Sequence, residues 1–343
     1  MDTGGGGRVR DGGDGSAGSD DAAEVTVGAR LHVGFCNLSL AHERLYGGMG
    51  VALAAPRLTV RAEPAGAVRC AEPTIREYAE RAADLLGVRG AAVEAPRTLP
   101  RHAGLGSGTA SALATLVAVG RAHGRAPDVR DLAPALGRGG RSGVGVAAFE
   151  RGGFVLDAGH PTARYTTERP ADGAWTVPAV AARHPVPEGW RFVLVIPDAA
   201  DGRSDEREDR SMRAAVERAD AGTADRVAGL VTRRLLPAVA EGSAERFGAA
   251  VAAVGRLNGS WYADEQGGVY RPPVGEIVAA LDDAPAVYGA DQSSWGPTVY
   301  GVTDADRAGA AAEAGRAALD EAGVEGRVEV VRGRNRGARI EDG

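Results

Sequence analysis

The chain contains no lysine, and all forty of its basic side chains are arginine. This absence excludes every mechanism that needs a lysine amine, such as a Schiff base, a lysine general base or a Walker-type phosphate-binding lysine. Anionic substrates must therefore be bound by arginine, by backbone amides or by a metal ion.

Cysteines and long apolar runs are also scarce. The two cysteines, Cys36 and Cys70, form no CxxC pair, so neither a disulfide framework nor a structural zinc site is predicted. No apolar run reaches the roughly eighteen residues of a membrane span, and the Gly- and Asp-rich N-terminus does not resemble a secretory signal. We therefore expect a cytoplasmic protein with no membrane partner. The formal net charge of −6 argues against nucleic acid as a partner.

The remaining composition predicts a globular α+β protein of two domains. Its 343 residues are 44% hydrophobic, which is enough to fill a sizeable core. Residues 1–22 are mostly Gly, Asp and Ser and predict a disordered tail. A Pro-rich stretch at 178–187 predicts a boundary near 188, which gives an N-terminal domain at 23–188 and a C-terminal domain at 189–340. Alternating apolar side chains at 143–159 predict a β-hairpin with its turn at 151–153.

In residues 100–114, PRHAGLGSGTASALA, three glycines and the hydroxyl residues Ser107 and Thr109 stand directly before an apolar run. The loop matches neither the Walker pattern nor the dinucleotide-binding pattern. Glycines at 104, 106 and 108 nevertheless allow backbone amides to approach a ligand, and a helix beginning near Ser107 directs free N–H groups to the same place. The loop therefore favours phosphate or pyrophosphate, while a purely structural helix entry is the alternative. The hydroxyls of Ser107 and Thr109 could cap the helix or reach a phosphate oxygen or a magnesium-bound water.

The same stretch resembles the glycine-rich motif of the GHMP superfamily of small-molecule kinases, PxxxGLGSSAA, which grips nucleotide phosphates. Three further stretches resemble the β-ribofuranosylaminobenzene 5'-phosphate synthases of that superfamily: residues 30–53, 137–160 and 292–302. The resemblance implies a ribosomal protein S5 domain 2-like N-terminal domain, a ferredoxin-like C-terminal domain and a homodimer.

The resemblance also implies a reaction. A synthase of this kind condenses 5-phosphoribosyl 1-pyrophosphate with 4-aminobenzoate, releases CO2 and pyrophosphate, uses Mg²⁺ and serves methanopterin biosynthesis. Whether the acceptor is 4-aminobenzoate or a close analogue stays open. An ATP-dependent GHMP kinase is the alternative, although several kinases carry an aspartate in an SGxD segment where this chain has Ser142-Gly143-Val144-Gly145. A non-catalytic ligand sensor on the same scaffold is a third reading.

Candidate binding residues cluster in the matched stretches. The pyrophosphate candidates lie in or beside the loop: Arg101, His102, Gly104, Leu105, Gly106, Ser107, Gly108 and Thr109, with Ser107 also a candidate ligand for Mg²⁺. The candidates for the remaining substrate groups are Arg30, His32, Asn37, Arg138, Arg141, Ser142, Ser293, Ser294 and Trp295. Each has a structural alternative, such as an exposed arginine, a core histidine or a packed tryptophan. Residues 197–210 offer further carboxylates for Mg²⁺, and no general acid or base can be assigned.

Overall fold

The computed structural model describes residues 22–198 and 205–343, with side chains described from residue 209 onward in the second range. Apart from Ala22, the predicted disordered tail at 1–22 lies outside the described residues. The strands are β1 (Ala23–Asn37), β2 (Arg44–Pro64), β3 (Ala91–Arg97), β4 (Phe154–Asp157), β5 (His160–Pro161), β6 (Val180–His184), β7 (Trp190–Pro197), β8 (Ala290–Gln292), β9 (Val299–Asp304), β10 (Gly326–Val331) and β11 (Arg339–Asp342). The helices are α1 (Pro73–Leu86), α2 (Ser107–Ala122), α3 (Val129–Leu132), α4 (Val144–Arg151), α5 (Asp205–Arg218), α6 (Ala221–Leu230), α7 (Leu236–Glu241), α8 (Ala244–Trp261), α9 (Ala263–Gln266), α10 (Val274–Asp282) and α11 (Ala308–Glu321).

Seven strands form the first sheet, in the order β11-β1-β2-β4-β6 with β3 and β5 also paired to β2. Alternate residues of β1, from Val25 to Val33, are buried in the main core. Between these positions lies Arg30, whose side chain contacts the glycine-rich loop, and directly after Val33 lies Gly34, which contacts the second half of the chain. β1 therefore connects the core to the surface where the two halves meet.

The second sheet has the antiparallel order β10-β7-β9-β8. One face of the sheet packs Val193 and Val195 against α10 and α11 in a separate core cluster. The other face buries Phe192 and Tyr300 in the core that continues into the first half. The α+β fold class predicted from the sequence is confirmed, and its strands form two sheets.

Helix α8 joins the two halves through the amide of Asn258. Its Oδ1 accepts the backbone N–H of Phe35 at 2.7 Å, and its Nδ2 donates to the carbonyl of the same residue at 3.1 Å. A Cβ at Gly34 would lie 2.7 Å from Asn258 Oδ1, so glycine is needed for this close approach. The contact fixes α8 against β1 at the edge of the candidate site.

The hairpin predicted at 143–159 is wrong. Residues Val144–Arg151 form helix α4, and only Phe154–Asp157 form a strand. The glycine-separated valines suggest a period of two, but Val144 and Ala147, and likewise Val146 and Phe149, are buried at helical spacing. Glycine at 143 and 145 concealed that spacing because it contributes no apolar side chain.

The end of the chain returns to the first sheet. Strand β11 pairs with β1, and Arg332 and Arg334 exchange backbone hydrogen bonds with Ala54 and Ala52 of β2. Residues after 331, which the sequence predicts to lie in the C-terminal domain at 189–340, therefore pair with strands of the first half. The change of sheet after β6 lies between His184 and Trp190, and the boundary near 188 remains a prediction. Within the described ranges, none of the helices combines the length and apolarity that a membrane crossing requires.

Candidate active site

The glycine-rich loop ends at Gly106, which adopts a left-handed conformation with φ +78° and begins helix α2. In the part of the chain that the structure describes, no side chain caps this end of the helix, and the first turn contains no acidic residue. The hydroxyls of Ser107 and Thr109 are therefore not helix caps. Because backbone N–H groups of a first turn have no partner within the helix, those of residues 107–109 present donors and the positive end of the helix dipole. This is the arrangement that binds anions.

Two arginines border this helix end. A Cβ at Gly106 would lie 2.8 Å from Arg30 Cγ, and a Cβ at Gly108 would lie 3.0 Å from Arg138 Nη1. Arg138 also donates to the Tyr78 hydroxyl, and its guanidinium carbon lies 5.4 Å from the centre of the Tyr78 ring. Its Nε is buried and has no hydrogen-bond partner among the described residues. The first turn of α2 is thus bordered by two guanidinium groups that chelate anions well.

Gly104 contacts protein, whereas its position in the glycine-rich loop predicts contact with a ligand. Its carbonyl accepts hydrogen bonds from Arg30 Nη1 at 3.0 Å and from Ser293 Oγ at 2.8 Å. A Cβ at Gly104 would lie 2.1 Å from the Ser293 carbonyl oxygen. Ser293 Oγ in turn accepts the backbone N–H of His32 at 3.0 Å. The absence of a side chain at Gly104 therefore serves a contact between the two halves, and Ser293 is a buried tether.

Other predicted loop residues contribute mainly to the structure of the chain. The Leu105 side chain is buried in the core, and its carbonyl accepts the backbone N–H of Arg30 at 3.1 Å. Arg101 is exposed, and His102 is half-buried with φ +52°. Asn37 donates to the carbonyls of Ser39 and Arg44 and accepts the Ser39 N–H, so its amide holds the turn after β1. The structure gives Asn37 this structural role.

The loop around Arg141 and Ser142 is held by a carboxylate that the sequence interpretation missed. Asp157, at the end of β4, is buried and accepts the N–H of Gly143 at 2.7 Å and the Ser142 hydroxyl at 3.1 Å. Burial raises the pKa of this carboxyl group. Arg141 forms an ion pair with Asp209. The backbone N–H of Gly143 is therefore not free to bind a substrate anion, because Asp157 already accepts it.

A cavity lies beside the loop, between β1 and α8. It encloses about 480 Å³ of space, its solvent-filled mouth included, and its lining includes His32, Phe35, Tyr262, Asp291, Ser294 and Trp295. The rings of Tyr262 and Trp295 are 4.4 Å apart, and those of His32 and Phe35 are 4.8 Å apart. Burial, followed by the charge of Arg30, lowers the pKa of His32 to about 3, so its imidazole is neutral at physiological pH. The predicted His32, Ser294 and Trp295 thus meet at one aromatic-lined cavity.

Asp291 and Tyr270 line this cavity and were not found from the sequence. Asp291 is buried, and its Oδ1 accepts the Tyr270 hydroxyl at 3.1 Å. Burial raises the pKa of Asp291 to about 8. Asp291 stands directly before the matched stretch 292–302, so its adjacency to that stretch was the available signal.

Both halves of the chain match models of one protein family. The model "GHMP kinases N terminal domain" matches residues 68–153, and the model "GHMP kinases C terminal" matches residues 235–321. A crystal structure of homoserine kinase from Cytophaga hutchinsonii superposes with a TM-score of 0.63 at 19% identity and covers 94% of this chain and 98% of that chain. These matches define the class of protein as the GHMP superfamily and confirm the predicted fold.

Two curated relatives define the family more narrowly. The beta-ribofuranosylphenol 5'-phosphate synthase of Methanothermobacter thermautotrophicus is 32% identical over 92% of this chain and 97% of its own length. The enzyme of the same name from Archaeoglobus fulgidus is 34% identical over 91% of this chain and 97% of its own length. The chain belongs to the beta-ribofuranosylphenol 5'-phosphate synthase family of the GHMP superfamily. It is an enzyme that acts on small molecules, and the kinase alternative is not favoured.

Proposed function

We propose that this enzyme transfers the ribosyl phosphate of 5-phosphoribosyl 1-pyrophosphate to the ring of a para-substituted benzoate and releases CO2 and pyrophosphate. The observation that carries the proposal is the uncapped, arginine-bordered first turn of α2 beside an aromatic-lined cavity. The reaction needs one site that stabilises a leaving diphosphate and a neighbouring site that orients an arene, and these two features supply both. Family membership supports the same reaction, and methanopterin biosynthesis is the pathway it serves.

The pyrophosphate site combines two kinds of donor. Backbone N–H groups of residues 107–109 would donate to the leaving group, and Arg30 and Arg138, which lie against Gly106 and Gly108, would add guanidinium groups. As the bond from ribose carbon 1 to pyrophosphate breaks, negative charge develops on the diphosphate and positive charge on the sugar. Donors that are already oriented toward the diphosphate lower this barrier without reorganising.

The ring carbon that bears the carboxylate then attacks ribose carbon 1. A bond forms between the two carbons, and the carboxylate leaves as CO2, which returns its bonding electron pair to the ring. The names of the curated relatives specify a phenol product, whereas the sequence resemblance implies an aminobenzene product. The two acceptors to compare are therefore 4-hydroxybenzoate and 4-aminobenzoate.

The proposal includes a Mg²⁺ ion that binds together with the diphosphate. Among the described residues, no cluster of three or more His, Cys, Asp or Glu side chains could hold a metal ion. Near the loop, Ser107 offers one hydroxyl, so the donor set fits a magnesium ion held mostly by substrate oxygens and water. The ion would neutralise charge on the diphosphate. The predicted carboxylates at 197–210 lie largely outside the described residues, and their role, like the homodimer, remains a prediction.

A release assay tests the proposed function. We expect the purified enzyme, with Mg²⁺ and 5-phosphoribosyl 1-pyrophosphate, to release labelled CO2 from carboxyl-labelled 4-hydroxybenzoate or 4-aminobenzoate. Release should require the ribosyl donor and should produce one pyrophosphate per CO2. Absence of labelled gas with both acceptors, together with consumption of ATP when a sugar or alcohol is supplied, would instead establish a kinase.

A further inference from the structure

We infer that the cavity between β1 and α8 holds the aromatic acceptor with its para-hydroxyl on Asp291, and that Asp291 takes the hydroxyl proton as the ring attacks. The inference rests on the proposed function and concerns the 4-hydroxy-substituted benzoate, the acceptor that corresponds to the phenol product in the names of the curated relatives. It also assigns the proton acceptor that the sequence could not identify.

The position of the cavity relative to the glycine-rich loop supports this assignment. Arg30 contacts Gly106 of the loop, and His32, two residues further along β1, lines the cavity. Two residues of a strand span about 7 Å, which is the scale of the gap between a diphosphate and an arene attached to the same ribose carbon. Ser293 bonds both to Gly104 of the loop and to the N–H of His32, so it fixes this spacing.

The lining of the cavity fits a flat ring with one polar end. Phe35, Tyr262 and Trp295 supply aromatic surface, and the neutral His32 adds a ring without charge. Asp291 and Tyr270 add a carboxyl and a hydroxyl to this lining. A carboxylate accepts about four hydrogen bonds, and Tyr270 and the backbone N–H of Gln292 supply two. Asp291 therefore retains capacity for a substrate hydroxyl.

The chemistry of the ring favours an acceptor for that proton. When the carbon para to the hydroxyl bonds to ribose carbon 1, positive charge reaches the hydroxyl oxygen and its O–H becomes strongly acidic. Transfer of the proton to the Asp291 carboxylate leaves a neutral dienone that still carries the carboxylate. Loss of CO2 then supplies the electron pair that restores the aromatic ring, and Asp291 returns the proton to the oxygen. An amino group needs no such transfer, because its nitrogen lone pair stabilises the ring cation directly.

The surroundings of Asp291 set the pH at which it can act. Burial raises its pKa to about 8, and hydrogen bonds from the Gln292 N–H and from Tyr270 oppose that rise. Arg256 of α8 lowers the pKa and Asp282 of α10 raises it, and these two side chains pair with each other at 3.2 Å. The buried Tyr300 of β9 faces the same carboxyl group. Because the base form accumulates as pH rises, activity with a hydroxy acceptor should increase up to about pH 8 and then level off.

The test compares Asp291→Asn with the wild-type enzyme on the two acceptors between pH 6 and 8.5. General-base catalysis contributes about 10²- to 10⁴-fold, so we expect kcat/KM for 4-hydroxybenzoate to fall at least about 100-fold and its rise with pH to disappear. With 4-aminobenzoate, kcat/KM should change by less than about threefold. Asp304→Asn is the matched control, since Asp304 accepts the Tyr288 hydroxyl at 2.5 Å in a similar Tyr–Asp pair and does not line the cavity. Equal losses on both acceptors, or no loss on either, would overturn the inference.

A second variant keeps the carboxyl group in place. Tyr270→Phe removes a hydrogen bond that lowers the pKa of Asp291, so the rise in activity with 4-hydroxybenzoate should move to higher pH. An unmoved pH profile would count against Asp291 as the base.

If the wild-type enzyme releases no CO2 with either acceptor, the proposed function fails, and calorimetric binding of 4-hydroxybenzoate then decides the inference. Binding weakened at least about tenfold by Asp291→Asn would support the assigned cavity, whereas unchanged or absent binding would refute it.

Discussion

Replacing Gly106 with alanine should reduce ribosyl transfer by at least about 100-fold, because the donors at the first turn of α2 would no longer converge on the leaving group. Gly106 has φ +78°, which costs an L-residue about 1–2 kcal/mol. The new Cβ would also lie 2.8 Å from Arg30 Cγ and displace that arginine from the loop. Steady-state kinetics with the ribosyl donor as the varied substrate measures the effect.

Gly124→Ala provides the matched control for this substitution. Gly124 follows the other end of α2 with φ +65°, and no atom of the described residues lies within 4 Å of its added Cβ. Both variants should lose about 1–2 kcal/mol of unfolding free energy in urea titrations, because both place alanine in a left-handed conformation, and Gly106→Ala should lose more because its Cβ also meets Arg30. Only Gly106→Ala should lose activity. If the two variants were equally active, the glycine-rich loop would serve only to begin helix α2 and would not bind the diphosphate.

Arg138→Met should have the second largest effect. The substitution keeps most of the length of the side chain and removes the guanidinium group that lies against Gly108. Hydrogen bonds to charged groups contribute about 1.5–3 kcal/mol, so kcat/KM for 5-phosphoribosyl 1-pyrophosphate should fall about 10- to 150-fold. The buried Nε of Arg138, which lacks a hydrogen-bond partner among the described residues, supports a role for this group in ligand binding.

The control for Arg138→Met is Arg121→Met. Arg121 lies in the last turn of the same helix, where its guanidinium is 3.8 Å from Asp342. Arg121→Met removes the same charge at the opposite end of α2, so kcat/KM of this variant should stay within about threefold of the wild-type value. A comparable loss in both variants would indicate that overall charge matters rather than the position of Arg138. Pyrophosphate inhibition should weaken in Arg138→Met alone.

The loop and its helix could be predicted from the sequence because their signals are local. Glycines followed at once by a small-residue helix identify a helix N-terminus within about ten residues of chain. The class of fold followed from motif resemblance for the same reason, since each matched stretch is continuous. What the sequence could not show is which glycine contacts a ligand and which contacts protein. Gly104 packs against Ser293, 189 residues further along the chain, and no local pattern reveals that contact.

The two carboxyl groups near the site were missed for a related reason. Asp157 is the last residue of one short strand and Asp291 is the middle residue of another, so each resembles an ordinary strand aspartate. Their significance comes from burial and from partners on distant elements: Gly143 and Ser142 for Asp157, and Tyr270 for Asp291. Helix α4 was predicted as a strand because two glycines interrupt its apolar positions. The roles of Asp157 and Asp291 and the helical state of residues 144–151 all depend on tertiary packing, which the local sequence does not show.

The central claim is that main-chain donors at the first turn of α2 bind the diphosphate of the ribosyl donor. A crystal structure of the enzyme with pyrophosphate and Mg²⁺ tests it most directly. We expect diphosphate oxygens within hydrogen-bonding distance of the N–H groups of residues 107–109, with Arg138 Nε or its terminal nitrogens on the same anion. A diphosphate bound elsewhere, with the first turn of α2 contacting only protein or water, would contradict the account.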